Sequence, residues 1–213
     1  MQSRDPSVVL VDARNQPLGL MARSLAHRGS GHRHRAFTVL VFDQAGRLAM
    51  GRRAASKTLW PGAFDATVAS HPLPGESIDA AARRRLCQEL GWISAPHAAK
   101  LQPLGRFDYQ IRDGARGAEA ELCFALLAQL PADAQLFPEP AEIDHLDWRP
   151  PAELLADPSL WPTICPWAWP ALELLARHPS PFAATLAAPL RLARPQLQLA
   201  TNRAFANGRL AWP

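Results

Sequence analysis

Cysteine is scarce: Cys87, Cys123 and Cys165 stand far apart with no C-x-x-C pair. That excludes a disulfide framework and a cysteine-only zinc site, and each thiol is expected to be free. Long apolar runs are missing too, since none approaches the roughly 20 residues of a bilayer-spanning helix. The sequence therefore reads as soluble. Its first residues, MQSRDPSVVLVDA, lack the cationic start, long apolar centre and small-residue cleavage site of a secretory signal, so the expected compartment is the cytoplasm. No segment repeats. Charge of one sign is barely in excess: 23 basic residues face 19 acidic, a net +4. A surplus that mild suits a small anion such as a phosphate ester as well as it suits nucleic acid. What remains is ordinary globular material, 213 residues at 48% hydrophobic and 20% charged. It suffices for one domain, or one domain with an extension, around a core that needs no staples.

Along the chain, Ser7 to Ala13 reads as a strand, and Asn15-Gln16-Pro17 as a turn into a short helical stretch at Met21 to Ala26. Phe37 to Phe42 and Leu48 to Gly51 form two strands about a turn at Asp43 to Gly46, and a third strand runs from Ala63 to Ser70. Ile78, Ala82, Leu86 and Leu90 recur every four residues, with Ser77 placed to cap the start and Gly91 the end, which predicts a helix over Ile78 to Leu90. Strands follow at Arg106 to Arg112, Glu119 to Gln129 and Ile143 to Trp148, then helices at Ala152 to Ala156 and Pro170 to His178. This divides the chain into a domain over 1–178 and an extension over 179–213, rich in proline, alanine and leucine, that packs on the domain or is partly disordered.

Four of the seven histidines, His27, His32, His34 and His71, lie in the first third. On the strand ahead, Glu119 and Glu121 share one face with Cα atoms about 7 Å apart, a spacing at which two carboxylates can share one cation. Imidazole nitrogens with carboxylate oxygens make a mixed donor set for a divalent metal, Mg²⁺, Mn²⁺, Fe²⁺ or Zn²⁺. On spacing alone, surface histidines on a solvated strand are the commoner arrangement. Two basic clusters stand out: His27 to Arg35, and Arg52, Arg53, Lys57, Arg83, Arg84 and Arg85. The first could touch nucleic-acid phosphates, but it lacks the interleaved aromatics of a stacking platform.

The string Glu76 to Trp92, ESIDAAARRRLCQELGW, resembles the Nudix box, G-x5-E-x7-R-E-U-x-E-E-x-G-U. Glu76, Arg84, Leu86, Glu89 and Gly91 match. Ser70 stands at the first glycine, Arg85 at the glutamate after arginine, Gln88 at the first paired glutamate and Trp92 at the last aliphatic. From about Val8 to Trp167 the chain resembles the type I isopentenyl diphosphate isomerase family. His27 and His34 have the spacing of that family's first two metal histidines. RRAASK with Trp60-Pro61-Gly62 resembles its RRA-x-SK and WPG, His71-Pro72 with Gly75-Glu76-Ser77 its HP-x-x-GES, and Arg84-Arg85 with Glu89-Leu90-Gly91 its RR and ELG. Tyr109, Glu119, Glu121 and Pro166-Trp167 follow in the family's order.

The resemblance implies the Nudix α/β fold, a mixed β-sheet sandwiched between helices, and an enzyme acting on a prenyl diphosphate. It implies metal ligands at His27, His34, His71, Glu119 and Glu121, with manganese or zinc at that site. Glu89 would hold magnesium together with the diphosphate, whose charge Arg52, Lys57, Arg84 and Arg85 would neutralise. Glu121 and Tyr109 would protonate the alkene and Trp167 would stabilise the cation. Neither nucleic acid nor a membrane is expected as a partner. One departure stands out: the family's catalytic cysteine falls at Ala69, and a methyl group moves no proton. Ser70 faces the other way on a strand, and Cys123, which shares the parity of Glu119 and Glu121, reads as a small buried hydrophobe. The first reading is therefore isomerisation or another carbocation reaction that does without the cysteine. A Nudix diphosphate hydrolase and a non-catalytic prenyl diphosphate-binding protein are the alternatives.

Overall fold

The computed structural model describes residues 5–191 and 209–210. It is an α/β fold, one mixed sheet between two helical layers, the architecture expected from the sequence. Strands β1 (Ser7–Val11) and β2 (Pro17–Ala22) form a hairpin that leads through the single turn α1 (Arg23–Ala26) into β3 (His34–Phe42). Then come β4 (Leu48–Arg53), the short pieces β5 (Phe64–Asp65) and β6 (Val68–Ser70), and helix α2 (Ile78–Leu90). After the turn α3 (Ala95–Ala98), the long hairpin β7 (Leu101–Arg112) and β8 (Ala118–Gln129) precedes β9 (Ile143–Arg149), α4 (Pro151–Ala156) and α5 (Ala168–Arg177). A final strand, β10 (Arg209–Leu210), pairs with β7 at Gln110 and Tyr109.

Strand β3 organises the sheet because almost every residue of it is buried, so both of its faces need cover. It runs parallel to β8 and antiparallel to β6. Alternation sends Phe37, Val39 and Val41 to one side, against Ala82, Leu86 and Leu90 of α2. Ala36 and Leu40 go to the other side, against Leu172 and Leu175 of α5. Helix α2 is bounded as its sequence implies: the Ser77 hydroxyl accepts from the Ala80 amide at 3.1 Å, and Gly91 ends the helix in a left-handed turn at φ 61. A Cβ at Gly91 would lie 2.0 Å from the Phe137 carbonyl oxygen, so no larger residue fits the chain crossing there.

Four expectations change. Met21 and Ala22 belong to β2 rather than to a helix, the Leu-Gly-Leu run being too short to declare its period. The strand expected over Ala63 to Ser70 is two pieces on different partners, β5 on β4 and β6 on β3. β7 starts at Leu101, not Arg106, because Pro103 is accommodated at a bulge between Pro103 and Gly105. Helix α5 starts two residues before Pro170, at Ala168. Of the expected extension, residues 181–191 are helical, with Leu186 and Leu190 buried in the α5-side core and Phe182 stacked on Phe42 at 4.4 Å. Residues 192–208 and 211–213 of the extension lie outside the described residues.

Candidate metal centre and active site

The site grows from one row of the sheet. His34 on β3 pairs with Glu121 on β8, and Glu121 with Tyr109 on β7, so three side chains from three strands project together from one face. Glu119 stands two residues before Glu121 on the same face. His71 follows directly on β6. His27 caps the C-terminal end of α1, and its carbonyl accepts from the Ala118 amide at 2.9 Å. Gly117 permits that approach: at φ 144, a Cβ there would lie 2.5 Å from the His27 carbonyl oxygen.

His27, His34, His71, Glu119 and Glu121 thus offer five donor atoms that all lie within 4.8 Å of one another. Glu121 Oε1 lies 2.9 Å from His71 Nε2 and 3.4 Å from His34 Nε2, and Glu119 Oε2 lies 3.1 Å from His27 Nε2. His34 Nδ1 donates to the His32 carbonyl at 2.7 Å. A carbonyl only accepts, so the proton sits on Nδ1 and the Nε2 lone pair points into the cluster, the arrangement that orients metal-bound histidines. Tyr109 donates its hydroxyl proton to Glu121 Oε2 at 2.5 Å.

Burial, followed by the neighbouring rings His71 and His34, lowers the pKa of His27 to about 3. Burial also lowers His71 to about 4. Both rings are therefore neutral near pH 7, which is the ligating form. Glu119 is pushed well up, by burial and then by the charge of Glu121. Burial acts on Glu121 in the same sense, but the neighbouring His34 and His71 rings hold it well below the ordinary carboxylate range. Glu119 Oε2 is buried against His27 Nε2 at 3.1 Å without a well-formed hydrogen bond. Three imidazoles and two carboxylates, brought to one point, fit a divalent cation.

Above the cluster opens a polar cavity of about 360 Å³. Trp167 forms part of its wall, held by a hydrogen bond from Nε1 to Asp65 Oδ1 at 2.8 Å and set edge-on to Trp60. The Arg53 guanidinium lies 5.6 Å from the Trp167 ring centroid. Burial pushes the Asp65 pKa up, and the charge of Arg53 draws it back. Lys57 reaches Glu142, which also accepts from Arg85 Nη2 at 3.0 Å, while Arg85 Nε donates to Glu89 at 2.6 Å.

The structure separates the expected anion-binding residues. Lys57 and Arg85 line the cavity, together with Arg23, Arg28, Arg53 and Arg116. Arg52 is exposed and off the wall, and its neighbour Arg53 takes the inward place. β4 pairs with β3 only at Leu48, then follows β9 with a register shift between Arg52 and Arg53, a device that re-aims side chains beside active sites. Arg84 is also off the wall. It forms a two-pronged ion pair with Glu76, at 2.8 and 2.7 Å, and donates to the His71 carbonyl at 3.3 Å, so it positions the His71 loop. Glu89 is buried outside the five-residue cluster, against Arg85. Nothing in the sequence singles out Glu142, one of several acids between Glu139 and Asp147, or Asp65, which has no motif around it. Cys123 and Cys165 are buried in the α5-side core and do not reach the cavity.

Residues 32–168 match the family model for the NUDIX domain. The chain is 41% identical over 162 residues to the isopentenyl-diphosphate Delta-isomerase of Haloarcula marismortui, covering 75% of this chain and 86% of that protein. It is 41% identical over 169 residues to the protein of the same name from Nocardia farcinica, covering 78% and 93%. Among solved structures, DR0079 from Deinococcus radiodurans superposes with a TM-score of 0.56 at 26% identity, over 70% of this chain and 86% of that one.

Proposed function

The chain belongs to the Nudix family and, within it, to the isopentenyl-diphosphate Delta-isomerase family, and on that premise we propose an enzyme that acts on isopentenyl diphosphate or a near relative by protonating its alkene. One observation carries the reading. Glu121 meets His34 and His71 through one oxygen and the Tyr109 hydroxyl through the other, at the floor of a cation-lined cavity. The Tyr109 hydroxyl and the Glu121 carboxylate that accepts from it make an acid pair whose shared proton is held in a fixed place.

His27, His34, His71, Glu119 and Glu121 would hold the divalent ion, for which manganese or zinc suits the mixture of nitrogen and oxygen donors. When bound, that ion withdraws charge from the carboxylates and strengthens Glu121 as an acid. Tyr109, whose pKa burial and then Glu121 raise far above the usual phenol, stays protonated and relays to Glu121. The Trp167 face and the shielded cavity stabilise positive charge on the tertiary carbon. Lys57, Arg85 and Arg53 receive the diphosphate, with Arg23, Arg28 and Arg116 also on the cavity wall. Glu89, the residue that the family resemblance points to for a magnesium ion, would have to leave its ion pair with Arg85 to hold one beside the diphosphate. Among the described residues no helix is long and apolar enough to cross a membrane, and a cytoplasmic enzyme with a small-molecule substrate is the consistent setting.

A Nudix hydrolase has less support, because the box helix offers only Glu89 with Glu76 ahead of it, and each is ion-paired to an arginine. The test is to incubate metal-loaded protein with isopentenyl, dimethylallyl and longer prenyl diphosphates in D₂O. Deuterium in the carbon skeleton supports the proposal. Inorganic phosphate release with no deuterium supports hydrolysis, and binding with neither supports a carrier; both of these refute it.

A further inference from the structure

Thr38 pairs with Ala69 of β6 on one side and Ala125 of β8 on the other. It lies on the same face of β3 as His34, so its side chain stands beside the Ala69 methyl, with Cβ atoms about 5 Å apart. Thr38 is fully buried and its hydroxyl has no hydrogen-bond partner. Buried hydroxyls are rarely left unpaired. Ala69 lines the cavity and Thr38 stands behind it, off the wall, so a water entering past the Ala69 methyl would find the Thr38 hydroxyl as a hydrogen-bond partner.

The proton acceptors around the cavity are already committed. His27, His71, Glu119 and Glu121 belong to the metal cluster, and Tyr109 is bonded to Glu121. Glu142 is held between Lys57 and Arg85, and Asp5 accepts from the Ser24 amide at 3.1 Å. Among the described residues, no free acid or base lines the wall at Ala69. A cation formed by protonation can return its proton to the donor wall or meet water.

Resting on the prenyl diphosphate reading above, we propose that this chain hydrates its substrate, adding water across the alkene to give a tertiary alcohol diphosphate. The O–H bond of the Glu121–Tyr109 acid pair breaks and its proton bonds to the terminal alkene carbon, using the π electron pair. The tertiary carbon is left positive beside Trp167. A lone pair of the water seated at Thr38 forms the C–O bond, and the surplus proton of that water returns to the acid pair through solvent. Alkene plus water gives alcohol. Nothing is oxidised or reduced, and the diphosphate stays attached.

The experiment is turnover of isopentenyl diphosphate by the metal-loaded full chain in H₂¹⁸O, with products identified by mass spectrometry and NMR. The expected main product is the tertiary alcohol diphosphate carrying one ¹⁸O. Thr38→Val should lower its rate by on the order of tenfold or more with KM unchanged, while Thr38→Ser, which keeps the hydroxyl, retains it. Ala69→Cys should shift the product ratio toward dimethylallyl diphosphate. If dimethylallyl diphosphate free of ¹⁸O is the main product of the unaltered chain, hydration is overturned and the substrate reading stands. If substrate binds but neither product nor deuterium exchange is seen, both fall. Alcohol formation unaffected by Thr38→Val overturns the water seat.

Discussion

Lowering the pH should weaken the metal-free fold in a way set by two buried rings. Unfolded histidine titrates at about 6.5, whereas folded His27 titrates at about 3 and His71 at about 4, burial being the main cause. A depressed histidine contributes stability above the unfolded pKa and loses it as the pH falls, because the unfolded chain takes up protons the folded chain refuses. Each such proton is worth about 1.4 kcal/mol per pH unit once the unfolded ring is fully charged, and the unfolded ring is half charged at pH 6.5, so two rings between pH 6.5 and 5 cost about 3 kcal/mol. Glu119 acts with the opposite sign. Its raised pKa gives the folded state a proton that the unfolded state gains only near pH 4.5, which stabilises at low pH and is lost as the pH rises. Glu119 therefore offsets part of what the two rings lose. Glu121, held low, matters only below this window. Urea unfolding of chelator-treated protein should therefore show a stability loss from pH 6.5 to 5 smaller than about 3 kcal/mol, and Glu119→Gln should raise the loss toward about 3 kcal/mol. Equal stability at the two pH values would refute the burial argument.

Three other substitutions probe the scaffold. Gly117→Ala places a Cβ against the His27 carbonyl; it should cost about 1–3 kcal/mol in stability and weaken metal affinity by about 10- to 100-fold in calorimetric titration, and an unchanged affinity would detach Gly117 from the site. Glu142→Gln removes the carboxylate shared by Lys57 and Arg85 and should tighten inorganic diphosphate by roughly tenfold, the scale of one charged hydrogen bond; weaker binding would mean that Glu142 helps rather than competes. Leu86→Ala, in the α2 layer, should destabilise by about 2–5 kcal/mol while leaving the metal stoichiometry of the folded protein intact. A lost metal ion there would show that the two layers are coupled.

Much of this was readable where periodicity or capping marked it. Ile78 to Leu90 shows its four-residue stripe between Ser77 and Gly91, and the helix ends there. The alternation of Glu119 and Glu121 put both on one face, and the sheet keeps them together. What could not be read depends on partners distant in the chain. That His34, Glu121 and Tyr109 form one row follows from the β3–β8–β7 register, which no local pattern specifies. Arg52 and Arg53 look interchangeable until β4 changes partners and its register shifts. Arg84 looks like a phosphate ligand until Glu76, eight residues earlier, claims it. Thr38 looks like an ordinary strand threonine; only the pairing with Ala69 shows its hydroxyl stranded beside the site.

The central claim is that three histidines and two glutamates bind one divalent ion on which catalysis depends. Elemental analysis of protein purified without a histidine tag, alongside its His71→Asn and Glu121→Gln variants, tests this most directly. The account predicts about one ion per chain in the parent protein, lost or strongly reduced in both variants while each remains folded by circular dichroism. Substoichiometric metal in the parent, or the same content in all three proteins, would contradict it.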